Sequence, residues 1–347
     1  MKRVFVGLSG GVDSSVAAAR LIRDGYEVVG VFIKVWHPSF LECNWETERL
    51  DAMRVAAHLK IPFLTCDAEE TYKTEVGEYF VREYLAGRTP NPDVLCNKAV
   101  KFGAFLSFAR EHDADFIATG HYAQRDGERL LRGADAEKDQ SYFLWTLSKA
   151  QLAHTLFPVG DATKASIRKE AEQLGLPTAE KKDSQGICFL GHVDIPEFLS
   201  HFTELHEGNV LDVAGNVIGR HRGALVYTLG QRHGFTVTAV QAATMPHYVV
   251  AKDLGENTIT VATEPPQVNT SDVLKLSSVN WITETPESGD ALEAQFRYRQ
   301  TPVPVRIEAV GEGTCTLAPL AETDRPADGQ SCVLYRGDEC MGGGVVS

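Results

Sequence analysis

Two short stretches combine residue types that can do chemistry. The first is GLSGGVDSS, Gly7–Ser15, between an apolar run and a helical pattern. Its glycines, Gly7, Gly10 and Gly11, let a backbone approach phosphate oxygens closely. Amide groups at a helix start attract the anion, and Ser9 and Ser14 add hydroxyl donors. Asp13 is the odd member, because a carboxylate repels phosphate. It fits if it helps hold Mg²⁺, which bridges carboxylate and phosphate oxygens. No Gly-Lys-Ser/Thr follows and the spacing is not G-x-G-x-x-G, so neither a Walker loop nor a dinucleotide fold is expected. The second stretch is NPDVLCNKAVKFG, Asn91–Gly103, in which a turn-forming Asn-Pro-Asp leads to Cys96. Alone, this thiol is either a small buried filler or a nucleophile. A helix opened by Asn97-Lys98 would lower its pKa through the N-terminal dipole. Asp93 is a turn residue or an acid/base group.

The elements that must position these stretches alternate. Arg3–Leu8, Val28–Ile33, Pro62–Cys66 and Phe116–Thr119 read as strands. Helical patterns cover the stretch after the glycine loop to about Asp24, then Thr47–Leu59, Glu69–Ala86, Asn97–His112, Leu147–Leu156, Lys164–Leu174 and Ile195–Phe202. Alternation of this kind predicts an α/β fold with a parallel sheet covered on both faces and ligands at the strand carboxyl ends. From about His206 the texture becomes all-β, in runs such as GALVYTL, HYVVAKD, TITVAT, VRIEAV and SCVLYRG. The proline-rich TEPPQVNTS marks a boundary between two small β domains. The expected division is 1–205, 206–268 and 269–347, the last a β-barrel.

Composition limits the function. The chain has 347 residues, 43% hydrophobic and 23% charged, ordinary for a globular protein of two or three domains. It contains no run long enough to cross a membrane, and its start does not read as a signal peptide, so a cytoplasmic protein is expected. Seven cysteines at wide spacings, with no CxxC, argue against zinc and against a secreted disulfide framework. A net charge of −13 counts against nonspecific polyanion binding. It leaves room for local basic patches, with Arg220-His221-Arg222 through Arg232-His233 and the set Arg297, Arg299 and Arg306 as candidates.

Ser-Gly-Gly-Val-Asp-Ser after a strand resembles the pyrophosphatase (PP) loop of enzymes that adenylate an oxygen and release pyrophosphate. Such loops serve GMP synthetase, NAD synthetase and RNA-thiolating enzymes alike. Further segments follow in order: GRTPNPDVLCNKAVKFG, ATGHYA, KDQSYFLW, KKDSQGICF and YTLGQRHG. With the loop, they resemble the tRNA-specific 2-thiouridylase family over nearly the whole chain, including the closing Gly342–Gly344.

That resemblance implies an adenine-nucleotide α-hydrolase-like (PP-loop) domain followed by two β-rich domains. It implies Mg-ATP on Gly7, Leu8, Ser9, Gly10, Gly11, Val12, Asp13 and Ser14, with further contacts at Ile33 and Gly120. Ile33 stands where methionine is common. Cys96 and Cys188 match the two catalytic cysteines, and Cys188 would carry sulfur as a persulfide from a donor protein. A transient disulfide between them follows, and Asp93 acts as acid or base. The target base would meet Asn91, Pro92 and Asp93. The tRNA would meet His121, Lys138, Asp139, Gln140, Arg297, Tyr298 and Gln330. Cys43 lies in a stretch where the family varies. It matches no catalytic position, and neither do Cys66, Cys315, Cys332 and Cys340, so all five are expected to be structural. Two other readings remain: a PP-loop synthetase acting on a small metabolite, which would leave both cysteines idle, and a noncatalytic RNA-binding protein that retains ATP.

Overall fold

The computed structural model describes residues 1–41, 45–182, 193–238 and 245–347. Apolar runs near the N-terminus form β1 (Arg3–Gly7), β2 (Glu27–Lys34), β3 (Phe63–Asp67) and β4 (Phe116–Ala118), all paired in parallel. Val4, Val6, Val31, Ile117 and Ala118 are fully buried, as strands covered on both faces require. The helix Val12–Arg23 connects β1 to β2, and Trp45–Leu59 connects β2 to β3. The strand order β3-β2-β1-β4 reverses direction between β1 and β4. A crevice therefore opens at their carboxyl ends, where an open α/β sheet binds its ligand.

Two expectations for this half need correction. Leu147–Leu156 is not one helix. Ser148 and Gln151 form a capping box for the short helix Lys149–Ala153, and Thr155–Leu156 then joins the sheet edge beside β4. The helix expected from Asn97 starts earlier, at Pro92. Pro92–Leu95, Cys96–Ala104 (π-helical) and Phe105–Glu111 run on without a break. Asn91 is the N-cap and its side-chain oxygen accepts from the Val94 amide at 3.3 Å. Asn-Pro here is a helix start, with proline at the first helical position.

The C-terminal half is β, as expected. A five-stranded sheet comprises Phe235–Val237, Val217–His221, Gly208–Leu211, Thr258–Ala262 and Tyr248–Asp253 in that spatial order. Within GALVYTL, however, Ala224–Val226 is a 3₁₀ turn, entered through Gly223 at φ +128° and buried against Phe198 and Tyr84. An apolar run satisfies burial as a turn as well as a strand. Six further strands close into an antiparallel barrel in the order Leu274–Trp281, Thr314–Pro319, Val303–Gly311, Ala291–Gln295, Ser331–Arg336 and Glu339–Val346. The last pairs back onto the first. Closure brings backbones together at Gly342, where an added Cβ would lie 2.0 Å from the Asn280 carbonyl oxygen. That close approach explains the glycine run.

The sequence held no sign of one hairpin. After β4 the chain forms β5 (Ala123–Asp126) and β6 (Arg129–Arg132), and β6 pairs with the barrel strand Glu339–Val346. Leu130 is fully buried in a core shared with Val333, Tyr335 and Cys340. The N-terminal body and the barrel are thereby sewn into one hydrophobic core.

Candidate active site

At the crevice, β1 passes through Gly7 into the glycine loop. Gly11 caps the helix Val12–Arg23 in extended conformation without any side-chain cap bond, which suits amides that await an anion. The loop is folded on itself: the Ser9 amide donates to Ser14 Oγ at 3.3 Å, and Ser14 Oγ donates to the Gly11 carbonyl at 3.2 Å. Gly10 has φ +71°, and a Cβ there would stand 2.8 Å from the Glu48 carbonyl oxygen. Gly120, after β4, presses on the same loop, where a Cβ would lie 2.7 Å from the Ser14 amide nitrogen. Ile33 Cδ1 and Phe105 Cε1 lie 3.6 and 3.5 Å from the position of a Cβ on Gly7. The residues expected at the nucleotide, Gly7 through Ser14, Ile33 and Gly120, thus gather at one end of the sheet. Phe105 connects them to the helix that carries Cys96.

Asp13 has partners that the sequence did not reveal. Lys164 Nζ lies 2.8 Å from both its carboxylate oxygens, and the Tyr122 hydroxyl donates to Oδ1 at 2.7 Å. Lys164 opens the helix Lys164–Gln173, whose N-cap is Thr163, and only 11% of its side chain is exposed. A nearly buried ammonium is therefore held at the mouth of a phosphate-type loop that has no lysine of its own. In sequence, Lys164 is one basic residue in a polar helix. Nothing local distinguishes it.

Cys96 is fully buried within the helix begun at Pro92. The expectation that it sits just before a helix start is corrected. A full turn of helix precedes it, and the dipole acts chiefly on groups at the first turn. Asp93 occupies that first turn and is half-buried. Four other cysteines are inert by environment. Burial pushes the thiols of Cys66 and Cys315 up to about 11 and that of Cys340 to about 12, and holds that of Cys332 well above its ordinary value. At neutral pH such groups remain thiols, poor nucleophiles. Cys43 and Cys188 lie outside the described residues, and so does the expected Cys96–Cys188 pairing.

The flanks of the Cys188 segment are described. On the upstream side, Lys181 Nζ pairs with Asp51 at 2.7 Å, beside Gly10 of the glycine loop. The hydrogen bond from Lys181 and the added charge of Arg54 hold the Asp51 carboxyl below its ordinary range. On the downstream side, Val193 shares a small apolar cavity with Pro92. The chain leaves beside the glycine loop and returns beside the Cys96 helix.

The residues expected at RNA fall into three settings. His121 is buried after β4, with Nδ1 2.8 Å from Thr119 Oγ1, and burial, with a smaller effect from Lys101, holds its pKa well below the usual value. Lys138, Asp139 and Gln140 form the loop after the hairpin. The Asp139 carboxylate is buried and takes donors from Gly133, Ser141 and Arg132, so it shapes this loop. Lys138 lines a groove of about 940 Å³ with Arg132 and Arg299. Arg297 and Gln330 line a second cleft of about 500 Å³, together with Tyr84, Arg222 and Gln231. Tyr298 stands between these settings, packed on Phe143 at 4.7 Å. The two basic patches are only partly realised. His221 is buried with its Nδ1 accepting from the Gly223 amide, and Arg306 pairs with Glu308. Among the described residues no cluster of three metal-ligand side chains occurs, and no helix is long and apolar enough to cross a membrane.

Comparison with known proteins agrees with this architecture part by part. Three family profiles match: the tRNA methyl transferase HUP domain over residues 2–192, the tRNA methyl transferase PRC-barrel domain over 196–263, and the aminomethyltransferase beta-barrel domain over 271–346. The chain is 45% identical over 352 residues to the tRNA-specific 2-thiouridylase MnmA of Geobacillus thermodenitrificans, covering 99% of this chain and 94% of that one. It is 44% identical over 356 residues to the MnmA of Escherichia coli O139:H28, covering 99% and 96%. A solved 4-thiouridine synthetase–RNA complex with bound ATP is a distant likeness, at 20% identity and TM-score 0.38 over 55% of this chain and 45% of that chain. With near-complete coverage at such identity, and all three domain profiles in order, the chain belongs to the tRNA-specific 2-thiouridylase family.

Proposed function

We propose that this protein is a tRNA-uridine 2-sulfurtransferase that uses ATP. The observation that carries the reading is the glycine loop with its Asp13–Lys164 pair, packed through Phe105 against the helix that bears Asp93 and Cys96. On this reading the three parts are 1–205 for ATP and catalysis, 206–268 as a central β-rich domain and 269–347 as the barrel.

The chemistry follows from the residues. A uracil carbonyl oxygen is a poor leaving group and an adenylated one is a good one. The C2 oxygen of the wobble uridine attacks the α-phosphorus of ATP, and pyrophosphate leaves. Loop amides and Lys164 Nζ stabilise the charge that grows on the departing phosphates. Asp13 would hold Mg²⁺ only by sharing carboxylate oxygens that already take Lys164 Nζ and the Tyr122 hydroxyl, and the ion would add positive charge at the phosphates. Sulfur from a Cys188 persulfide then bonds to C2, and AMP leaves with the oxygen. The persulfide sulfur either attacks C2 itself or is first released as hydrosulfide by Cys96. In both cases two thiols end as a Cys96–Cys188 disulfide, which an external thiol reductant must reopen. The flanks of the Cys188 segment, one beside Gly10 and one beside Pro92, support its reaching both the nucleotide and Cys96. The wobble base lies in a loop, where extrusion costs less than from a duplex.

The test gives the protein Mg-ATP, a persulfide donor protein and unmodified tRNA. Thiolated tRNA, AMP and pyrophosphate in equal amounts are expected. Pyrophosphate release that ignores tRNA and needs a small acceptor would favour the synthetase reading. Binding of tRNA and ATP with no turnover would favour the noncatalytic one.

A further inference from the structure

Arg297 and Arg299 share one loop of the barrel and line different hollows. Arg297 lines the cleft of about 500 Å³ and donates from Nη2 to the Leu229 carbonyl at 3.4 Å, whereas Arg299 lines the groove of about 940 Å³ with Lys138. The backbone between them makes that division. The Gln300 amide donates to the Arg297 carbonyl at 3.0 Å and closes a turn, with Arg299 in third place at φ +65°. Positive φ at that place of a turn calls for glycine or asparagine, and an arginine there costs free energy. The turn is braced by its neighbours. Gln300 Oε1 accepts from the Phe296 and Arg297 amides, both at 3.0 Å, and Gln300 Nε2 donates to Thr323 Oγ1 at 3.4 Å. A strained residue that its surroundings hold in place points to function.

The Arg299 side chain is arranged for a ligand. Its Nε donates to the Glu137 carbonyl at 3.0 Å, on the loop after the β5–β6 hairpin, and its guanidinium carbon stands 5.1 Å from the centre of the Tyr298 ring. One bond and one ring thus orient a guanidinium that is exposed. Among the described residues, neither Nη has an acceptor and no carboxylate pairs with Arg299. The acidic residues of the groove limit what it can bind. Asp139 is already taken by Gly133, Ser141 and Arg132. Glu137 and Asp338 remain, against Lys138 and Arg299. With charge so nearly balanced, the overall field attracts little and binding must rest on directed hydrogen bonds. The fixed fork of a guanidinium supplies these in pairs to phosphate oxygens.

We infer that Arg299 and its groove hold a phosphodiester of the RNA backbone, at a contact separate from the target base and from the cleft of Arg297. The inference rests on the RNA-thiolating reading of the site. It adds a second anchor for the same RNA beyond Tyr298, one that contributes to affinity and leaves the chemical step alone.

The test measures tRNA binding over a range of salt concentrations for Arg299→Gln, Arg299→Gly and Arg306→Gln. The last is a control of equal charge change, because Arg306 pairs with Glu308. Loss of a charge-assisted contact to phosphate weakens binding by about tenfold or more. It also makes the slope of log Kd against log salt shallower by about 0.7. Both Arg299 variants are expected to show these changes, with KM for tRNA raised, kcat kept and calorimetric ATP affinity unchanged. Arg306→Gln is expected to bind within about twofold of the unaltered chain. Arg299→Gly also relieves the turn, so its Tm is expected not to fall. Arg299 variants that match Arg306→Gln in Kd and in salt slope overturn the inference. So does weaker binding at an unchanged slope with a lowered Tm, the mark of an arginine that only supports the fold. If the unaltered chain thiolates no tRNA, the functional reading falls first. If it does and the Arg299 variants bind tRNA as tightly, only this inference falls.

Discussion

At the residue scale, Cys96 is as buried as the other described cysteines and differs from them in its place, on the helix that begins with Asp93 in its first turn. Cys96→Ser should abolish thiolation and leave ATP affinity intact, read by mass spectrometry of tRNA and by calorimetry. Normal thiolation by that variant would refute the two-thiol mechanism. Lys164→Met removes the cation beside Asp13. By analogy with the loss of a charge-stabilising donor elsewhere, it should slow pyrophosphate release by about 100- to 1,000-fold. It should also weaken ATP binding, whereas Cys96→Ser should not. Buried His121 supplies a pH signature. Its folded pKa lies below the ordinary value of 6.5, so below about pH 6.5 the unfolded chain binds a proton that the native chain refuses. Stability is retained above that pH and lost as pH falls from it toward the folded pKa. His221, also lowered by burial, acts in the same sense. Thermal melts from pH 8 to 5 should show a falling Tm, and His121→Asn should flatten the slope; an unchanged slope would exclude His121 as its source.

At the element scale, glycines control how closely strands and loops meet. Gly120→Ala would drive a methyl to 2.7 Å from the Ser14 nitrogen and 2.9 Å from the Asp13 carbonyl carbon. Neither is a flexible side-chain end, so the loop must move. ATP affinity is expected to fall by about tenfold, or about 1.4 kcal/mol. A calorimetric Kd equal to that of the unaltered protein would mean the loop shifts without loss. The Cys96 helix shows how an element boundary can hide from sequence. Asn-Pro-Asp contains both a turn signal and a helix-start signal. Only the cap bond to Val94 chooses between them.

At the scale of the whole molecule, the domains are not independent. The hairpin β5–β6 leaves the N-terminal body to pair with the barrel, and Leu130, Val333, Tyr335 and Cys340 share one core. Leu130→Ala should cost about 2–5 kcal/mol and lower a single unfolding transition rather than split it. Two resolved calorimetric transitions in the unaltered protein would contradict a shared core. By the same reasoning a chain cut after residue 268 exposes the hairpin and the face of that core covered by Ile282, Val333, Tyr335 and Cys340. It is expected to aggregate.

The sequence by itself determined the α/β order of the first half, the glycine loop, the all-β texture of the second half and the family. Each of these is local: strand and helix periods, turn residues and short motifs depend on neighbours along the chain. The tertiary structure alone decided that Lys164 meets Asp13 and that Asp139 is consumed in shaping its loop. It also decided that Cys96 lies inside its helix, that β5–β6 belongs to the barrel, and that the Tyr142 hydroxyl meets the Phe296 and Ser331 carbonyls. These are contacts between segments far apart in sequence. A lysine, an aspartate or a tyrosine carries the same local signal on a surface as in a site, and only packing assigns its partner.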